Sequence, residues 1–256
     1  MKKIKLICLL LTAILLITGV CGCMNLNFSE RQAKLEEMKS YAENKYNMNF
    51  DVVDFTFAKD ETYRNILRLT DGKIDFYVYN SANRKNSDKI YDDYSRAIIS
   101  DRVVDFIKSK FNTSSYNIDV YAGILIYGDK SLSYDYAVNT DADNLLKSNK
   151  IFDATIIVKT DKKITEIKDL IFEIYNLICS YSPEHINLEV IQTVGDTADI
   201  DQTLKCIIGT YNDDWSSYNC VKSYLKVENF GITSSDELVK EIKNVWFIKA
   251  QSFGHK

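Results

Sequence analysis

The sequence predicts an α+β protein, with antiparallel sheets and helices packed against them. Three observations carry this. Apolar residues alternate at period two in several short segments and recur at helical spacing in several longer ones. Helical and extended segments do not alternate strictly, as a doubly wound parallel sheet would require. Finally, Asp71-Gly72 joins two alternating segments, which is a strong short-range hairpin signal.

The elements follow in order. "SERQAKLEEMKSYAENKY", from Ser29, reads as a helix: Ser29 and Gln32 have capping-box spacing, and Leu35, Met38 and Tyr41 or Ala42 repeat at helical intervals. "FDVVDFTFA" (50–58) reads as a strand. In "TYRNILRLTDGKIDFYVYN" (62–80), pairing across a two-residue Asp71-Gly72 turn places Leu67, Leu69, Ile74, Phe76 and Val78 on one face. Arg64, Arg68, Asp75, Tyr77 and Tyr79 then take the other face, with Arg68 opposite Asp75 and Arg64 opposite Tyr79, both favourable cross-strand pairs. Residues 87–111 predict a helix with Ile99, Val103, Phe106 and Ile107 as its apolar stripe. Strands are expected at 117–127 and 152–160, and an apolar helix at 164–181. "INLEVIQTV" (186–194), "TLKCIIGTY" (203–211) and "VKSYLKVENF" (221–230) read as three more strands. "SSDELVKEIKNVWF" closes with a helix capped by Ser234 and Glu237.

The order helix, three strands, helix thus occurs at 29–111 and again at 164–247. It predicts two related α+β units, 29–137 and 138–256, or one continuous domain built from both. No proline-, glycine- or serine-rich linker separates them, and Pro183 is the only proline.

The N-terminus has the layout of a secretory signal. Lys2, Lys3 and Lys5 precede an uncharged run from Leu6 to Val20, shorter than the ~20 residues that span a bilayer core as a helix. "LITGVCGCMN" then offers two cysteines. Val20-Cys21-Gly22 before Cys23 places an apolar residue and a glycine where a lipobox has them, whereas Val20 precedes Cys21 directly. Residues 1–23 therefore resemble the signal peptide of bacterial lipoproteins. The resemblance implies removal of 1–22, attachment of diacylglycerol to Cys23, and a palmitate-bearing two-chain anchor at the extracytoplasmic face of the cell membrane, strong enough to hold stably. Residues 23–28 then form a short tether, so the folded body lies close to the membrane.

Composition narrows the partners. The chain has 32 basic and 36 acidic residues; without Lys2, Lys3 and Lys5 the mature part has 29 against 36, a net charge of −7. No basic face offers phosphate contacts, which argues against nucleic acid. Anionic headgroups repel such a body, leaving the lipid as its membrane attachment. Of the mature cysteines beyond Cys23, Cys179 falls on the apolar stripe of a helix and is expected to be a buried thiol. Cys206 and Cys220 flank a predicted hairpin and are the better pair for a disulfide, permitted in an oxidising compartment.

Motifs for chemistry are sparse. His185 and His255 are the only histidines, and neither HExxH nor paired CxxC occurs. There is no GxSxG, SxxK, GxGxxG or P-loop. "NTDADN" (139–144) opens like a calcium loop with Asn139, Asp141 and Asp143. It fails where Asn144 and Lys150 stand in place of glycine and glutamate. "DTADID" offers Asp196, Asp199 and Asp201 without a twelfth ligand, so both stretches read as caps or loops. No cofactor or metal is expected. Aromatic recognition remains: Tyr211, Trp215 and Tyr218 in a polar segment, and the sheet face with Arg64, Tyr77 and Tyr79. The expected function is non-enzymatic: an anchored envelope protein that binds another envelope protein or a glycan. The rival readings are a cell-wall hydrolase using a carboxylate pair and a small-ligand-binding lipoprotein.

Overall fold

A computed structural model describes residues 28–58, 64–80, 89–127, 133–148, 151–204, 215–228 and 230–244. The fold is α+β, with two sheets. The chain divides into two compact units: residues up to Gly72 with Tyr77–Asp92, and Lys73–Phe76 with the chain from Asp93 onward. The division thus falls near residue 92 and not at the expected 137/138. The reason is strand pairing. Residues 118–126 pair without a break against 152–160, which ties the segment before residue 137 to the second unit.

The first unit begins with helix α1 (28–46). It is already helical at Phe28, so Ser29 lies inside the first turn and not ahead of it. Met38, Ala42 and Tyr46, on one stripe, are buried. Strands β1 (Asp51–Thr56), β2 (Ile66–Thr70), β3 (Asp75–Asn80) and β4 (Ile90–Asp92) form a sheet in sequence order. β1 is an edge, bulged between Val52 and Asp54, a device that twists an open edge away from further pairing.

The β2–β3 hairpin departs from the two-residue turn. Only Gly72 of the two central residues takes a positive φ, 95°, whereas a type I′ turn needs both. Four residues, 71–74, separate the strands. At the far end the Asn80 N–H donates to the Asn65 carbonyl (3.4 Å) and the Asn65 N–H to the Asn80 side chain (2.7 Å). That pairing puts Asp75 opposite Thr70 and leaves Arg68 opposite Tyr77, with Asp54 as its neighbour on β1. The shift is of two residues, so every side chain keeps its face. Leu67, Leu69, Phe76 and Val78 are fully buried, as the alternation requires.

Residues 89–92, expected in a helix, form β4 and pair with β3 from Val78↔Asp92 to Asn80↔Ile90. The Asp92 side chain is 1% exposed and receives the Tyr46 hydroxyl (2.5 Å) and the Lys45 ammonium (2.7 Å), tying α1 to the sheet. Burial raises the Tyr46 pKa, and Asp92 raises it further. For Lys45, burial works downward but the Asp92 and Tyr46 hydrogen bonds prevail and raise it.

In the second unit, α2 (Tyr94–Lys110) buries Ile99, Val103 and Ile107, and Phe106 is half-buried. β5 (Ile118–Ile126), β6 (Phe152–Thr160), β7 (His185–Thr193), β8 (Val221–Glu228) and β9 (Ile242–Asn244) form a sheet in that order. All its pairs are antiparallel except β6–β7, which is parallel and is joined by α5 (Lys168–Cys179). α3 (Tyr134–Asn139) and α4 (Ala142–Ser148) lie between β5 and β6. One face of this sheet is apolar: Val120, Ala122 and Ile124, then Ala154, Ile156 and Val158, then Ile186, Leu188 and Val190, then Leu225 and Val227, all buried. The Ile124 N–H on edge strand β5 is satisfied by Ser100 Oγ of α2 (3.1 Å), so the helix shields that edge.

The expected repeat does not form. The second half contributes strands to a sheet that already holds β5 and β6 and contains a parallel pair, unlike the four-stranded meander. Thr203 and Leu204, expected to open a strand, end helix α6 (Ala198–Leu204), and 205–211 lie outside the described residues. The closing helix, α7 (Ser235–Lys240), is capped as expected, with the Glu237 N–H on Ser234 Oγ (3.3 Å). It stops at Lys240 because Ile242–Asn244 cover the open side of β8 as β9.

Asp92→Ala is expected to lower the unfolding free energy by about 1–3 kcal/mol, the cost of leaving a buried donor unsatisfied. Asp51→Ala, at the exposed start of β1, is expected to change it by less than about 0.5 kcal/mol. Urea denaturation of both variants checks the pair.

Candidate functional site

The face of the four-stranded sheet opposite Leu67 and Phe76 carries Ile66, Arg68, Tyr77, Tyr79 and Tyr91. Cross-strand register places Tyr79 beside Tyr91, and their rings stack with centroids 6.0 Å apart and planes 24° off parallel. The Arg64 guanidinium lies 5.6 Å from the Tyr79 centroid, a cation–π distance. Thus the predicted Arg64–Tyr79 contact forms, although the register differs. Tyr79 and Tyr77 are half-buried, Arg64 is exposed, and Tyr91 and Ile66 are 43% and 40% exposed. Arg64 makes no ion pair among the described residues. Tyr91 was hidden from sequence reasoning because 87–111 reads as one helix. The short alternation in "KIYD" is the signal that marks it.

The other aromatic candidates take different positions. Trp215 is completely buried and its indole N–H donates to Glu189. It is a core residue, not an exposed platform, because an indole with an internal acceptor gains more by burying its large surface. Tyr218 is half-buried beside it, ring centroids 5.8 Å apart, with its hydroxyl 3.3 Å from Thr203 Oγ1. Tyr211 lies outside the described residues, as do Cys23, Cys206 and His255. Cys220 is a half-buried free thiol, and its expected partner Cys206 lies outside the described residues. Cys179 is a free, half-buried thiol, and burial raises its pKa, against the low-pKa thiolate that nucleophilic catalysis needs.

The second face of the five-stranded sheet mixes charged and apolar side chains. Register aligns Tyr121, Ile157, Glu189 and Lys226 in one row and Asp119, Lys159, Ile191 and Tyr224 in the next. α6 and the turn at Trp215 pack on this face through Ile200, Leu204 and Trp215 against Ile157, Ile191 and Val221. Glu189 is wholly buried, accepts from Trp215 and from Asn187 Nδ2 (2.8 Å), and forms an ion pair with the Lys226 ammonium 3.6 Å away. Burial raises its pKa above the ordinary 4.5, opposed by those three donors. Lys159 bridges Asp119 (3.1 Å) and Asp201 of α6, and Asp201 also accepts from Thr197 (2.7 Å). Burial pushes the Asp201 pKa up, but the hydrogen bonds from Lys159 and Thr197 prevail and hold it below the ordinary 3.8.

The calcium-like stretches are structural. Asp141 accepts the Asn144 N–H (2.9 Å) at the start of α4, and Asp196 accepts the Ala198 N–H (3.0 Å) at the start of α6. Among the described residues, no three metal-binding side chains cluster as a site.

No protein-family model and no curated protein sequence matches this chain. The crystal structure of a DUF5037 family protein from Ruminococcus gnavus ATCC 29149 is similar over 86% of this chain and 99% of its own, at 13% identity and a TM-score of 0.48. That likeness carries no argument about the site.

Glu189→Ala is expected to destabilise by about 3 kcal/mol, because it leaves buried donors on Trp215 and Lys226 without their acceptor. Glu189→Gln is expected to cost less, since it keeps an acceptor and sheds a charge that burial opposes; thermal denaturation ranks the two. Asp201 generates a pH prediction. Its native pKa is lowered, so its stabilisation is complete above pH about 4 and is lost as the pH falls through the lowered value. Asp201→Asn is expected to flatten the acid limb of a stability-versus-pH curve.

Proposed function

We propose that this chain is a lipid-anchored protein of the cell envelope, held to the membrane through Cys23, that binds another envelope protein through the Arg64–Tyr79–Tyr91 face. The observation that carries the reading is the stack itself: two tyrosines and an arginine, partly exposed on a rigid sheet. Tyrosine and arginine are the residue types that supply most binding energy at protein interfaces. The exposed Arg64 suits a carboxylate, and the exposed Ile66 and Tyr91 suit apolar cover. The partner segment is therefore an acidic residue flanked by apolar side chains.

The anchor rests on the resemblance of residues 1–23 to lipoprotein signals. No described helix is long and apolar enough to cross a membrane. The carboxylate-pair hydrolase has less support. Glu189, the most buried carboxylate, spends its oxygens on Trp215, Asn187 and Lys226 beneath a packed turn.

Two experiments test the reading. Metabolic labelling with a palmitate analogue is expected to mark the wild-type chain and not Cys23→Ala, which should leave the membrane fraction. A photo-crosslinking residue at position 91 is expected to trap one envelope protein in cells. Arg64→Glu and Tyr79→Ala are each expected to weaken binding of that protein by about 2 kcal/mol, roughly thirtyfold. Crosslinks that survive both substitutions at wild-type yield would sink the proposal.

A further inference from the structure

Helix α1 lies across the four-stranded sheet. Near its C-terminus Lys45 and Tyr46 reach Asp92 on β4. Near its N-terminus Arg31 Nη2 donates to the Phe55 carbonyl on β1 (3.2 Å), with its guanidinium 5.9 Å from the Phe55 ring centroid. β4 and β1 are the two edges of the sheet, three strand spacings or about 14 Å apart. A helix rises about 22 Å over the 15 residues from Arg31 to Tyr46, so α1 is longer than the sheet is wide. The excess shows at its N-terminal end. Every residue from Phe28 to Ala33 is exposed, and the first buried one is Met38. The first turn of α1 thus overhangs the β1 edge, with Phe28 at its tip 70% exposed. The same edge exposes Val52 and Val53, each 42%.

This edge is closed to a further strand. The Phe55 N–H donates to Asp54 Oδ1 (2.7 Å), its carbonyl is taken by Arg31, and the bulge between Val52 and Asp54 breaks the line of backbone groups. What it offers is apolar side-chain surface, at the point where the chain runs back to Cys23. Phe28 stands five residues after Cys23. Five residues span at most about 18 Å when fully extended, and average about 12 Å as a flexible coil. The headgroup layer on each side of a bilayer is itself roughly 5–7 Å deep. A lipid on Cys23 therefore delivers Phe28 to the interface, and its insertion becomes an intramolecular step.

We propose that Phe28 and the β1 edge form a bilayer-contact surface, with Phe28 seated where headgroups meet acyl chains and Val52 and Val53 lying against the headgroups. The inference rests on the lipid-anchor reading above. Apolar side chains beside a lipid anchor add a second hold at that boundary. Glu30, Asp51 and Asp54 are exposed around them, so the surface fits zwitterionic headgroups, whose ammonium groups meet carboxylates, and not an anionic leaflet. The contact also gives the first unit a direction. Tyr91, on the opposite edge strand, stands the width of the sheet farther from the bilayer, which leaves the Arg64–Tyr79–Tyr91 face open to a partner.

Tryptophan quenching tests this on the mature lipidated chain, reconstituted into vesicles of phosphatidylcholine and phosphatidylethanolamine with brominated or plain acyl chains. Wild-type emission, from Trp215 and Trp246, is subtracted as background. The emission added by Phe28→Trp is expected to fall by more than half in brominated vesicles, and that added by Tyr91→Trp to stay unchanged. Both positions are exposed, so the wild-type melting midpoint is expected in each variant. A photo-crosslinking residue at position 28 is expected to give lipid adducts in cells. Unquenched Phe28→Trp on a chain that floats with the vesicles would overturn the contact and leave the anchor standing. Equal quenching at positions 28 and 91 would overturn the orientation, and protein adducts from position 28 would replace the bilayer with a protein occupant. A chain that does not float with vesicles would sink the anchor reading and this inference with it.

Discussion

The parallel pairing of β6 with β7 is the constraint on which the second unit depends. Parallel neighbours cannot be joined by a tight turn, so the chain must leave the sheet and return, which it does through α5. A strand in that position is covered on both faces. Every residue of β6 except Lys159 is buried accordingly. On the apolar face this is unremarkable chemistry, with branched side chains from four strands. The other face carries Asp153, Thr155 and Lys159 on one strand and Asn187 and Glu189 on the next. Burying that face calls for partners, and α6, the Trp215 turn and Lys226 supply them to Lys159 and Glu189.

Much of this was legible from residue patterns, and the failures have physical causes. β5 and β6 were read almost to the residue, because alternation or a continuous apolar run leaves little choice of period. The hairpin faces were also readable, since a slip of two residues leaves the alternation intact. The turn itself was not, because a preferred dipeptide constrains two residues while the Asn65–Asn80 pairing at the far end selects the register. Tyr91 and Ile242 were assigned to helices because each sits beside a genuine helix. Strand pairing across the sheet overrode local preference there. Trp215 illustrates the limit of local polarity. Its neighbours in sequence are polar, but its partner Glu189 lies on another strand and cannot be foreseen from the neighbouring residues.

The same reasoning explains how a chain with 36 acidic residues packs well. Asp92 and Asp143 are not left to pair with a single cation. Each shares its oxygens between a phenol and an ammonium, so the phenol satisfies a lone pair without adding charge and the lysine offsets the charge. This gives the seventeen tyrosines a second use beyond their apolar area. Tyr46 joins α1 to β4, and Tyr181 joins the end of α5 to α4. In each case the pair connects elements that are distant in sequence, where backbone hydrogen bonds cannot.

The same count of partners bears on Glu189. It is wholly buried and has the raised pKa, features that draw attention to it as a reactive group. Yet its oxygens are taken by an indole and an amide, with the Lys226 ammonium 3.6 Å away. Burial and a perturbed pKa therefore do not by themselves mark a reactive carboxylate, because a group whose partners are all supplied by the fold has nothing left to offer a substrate.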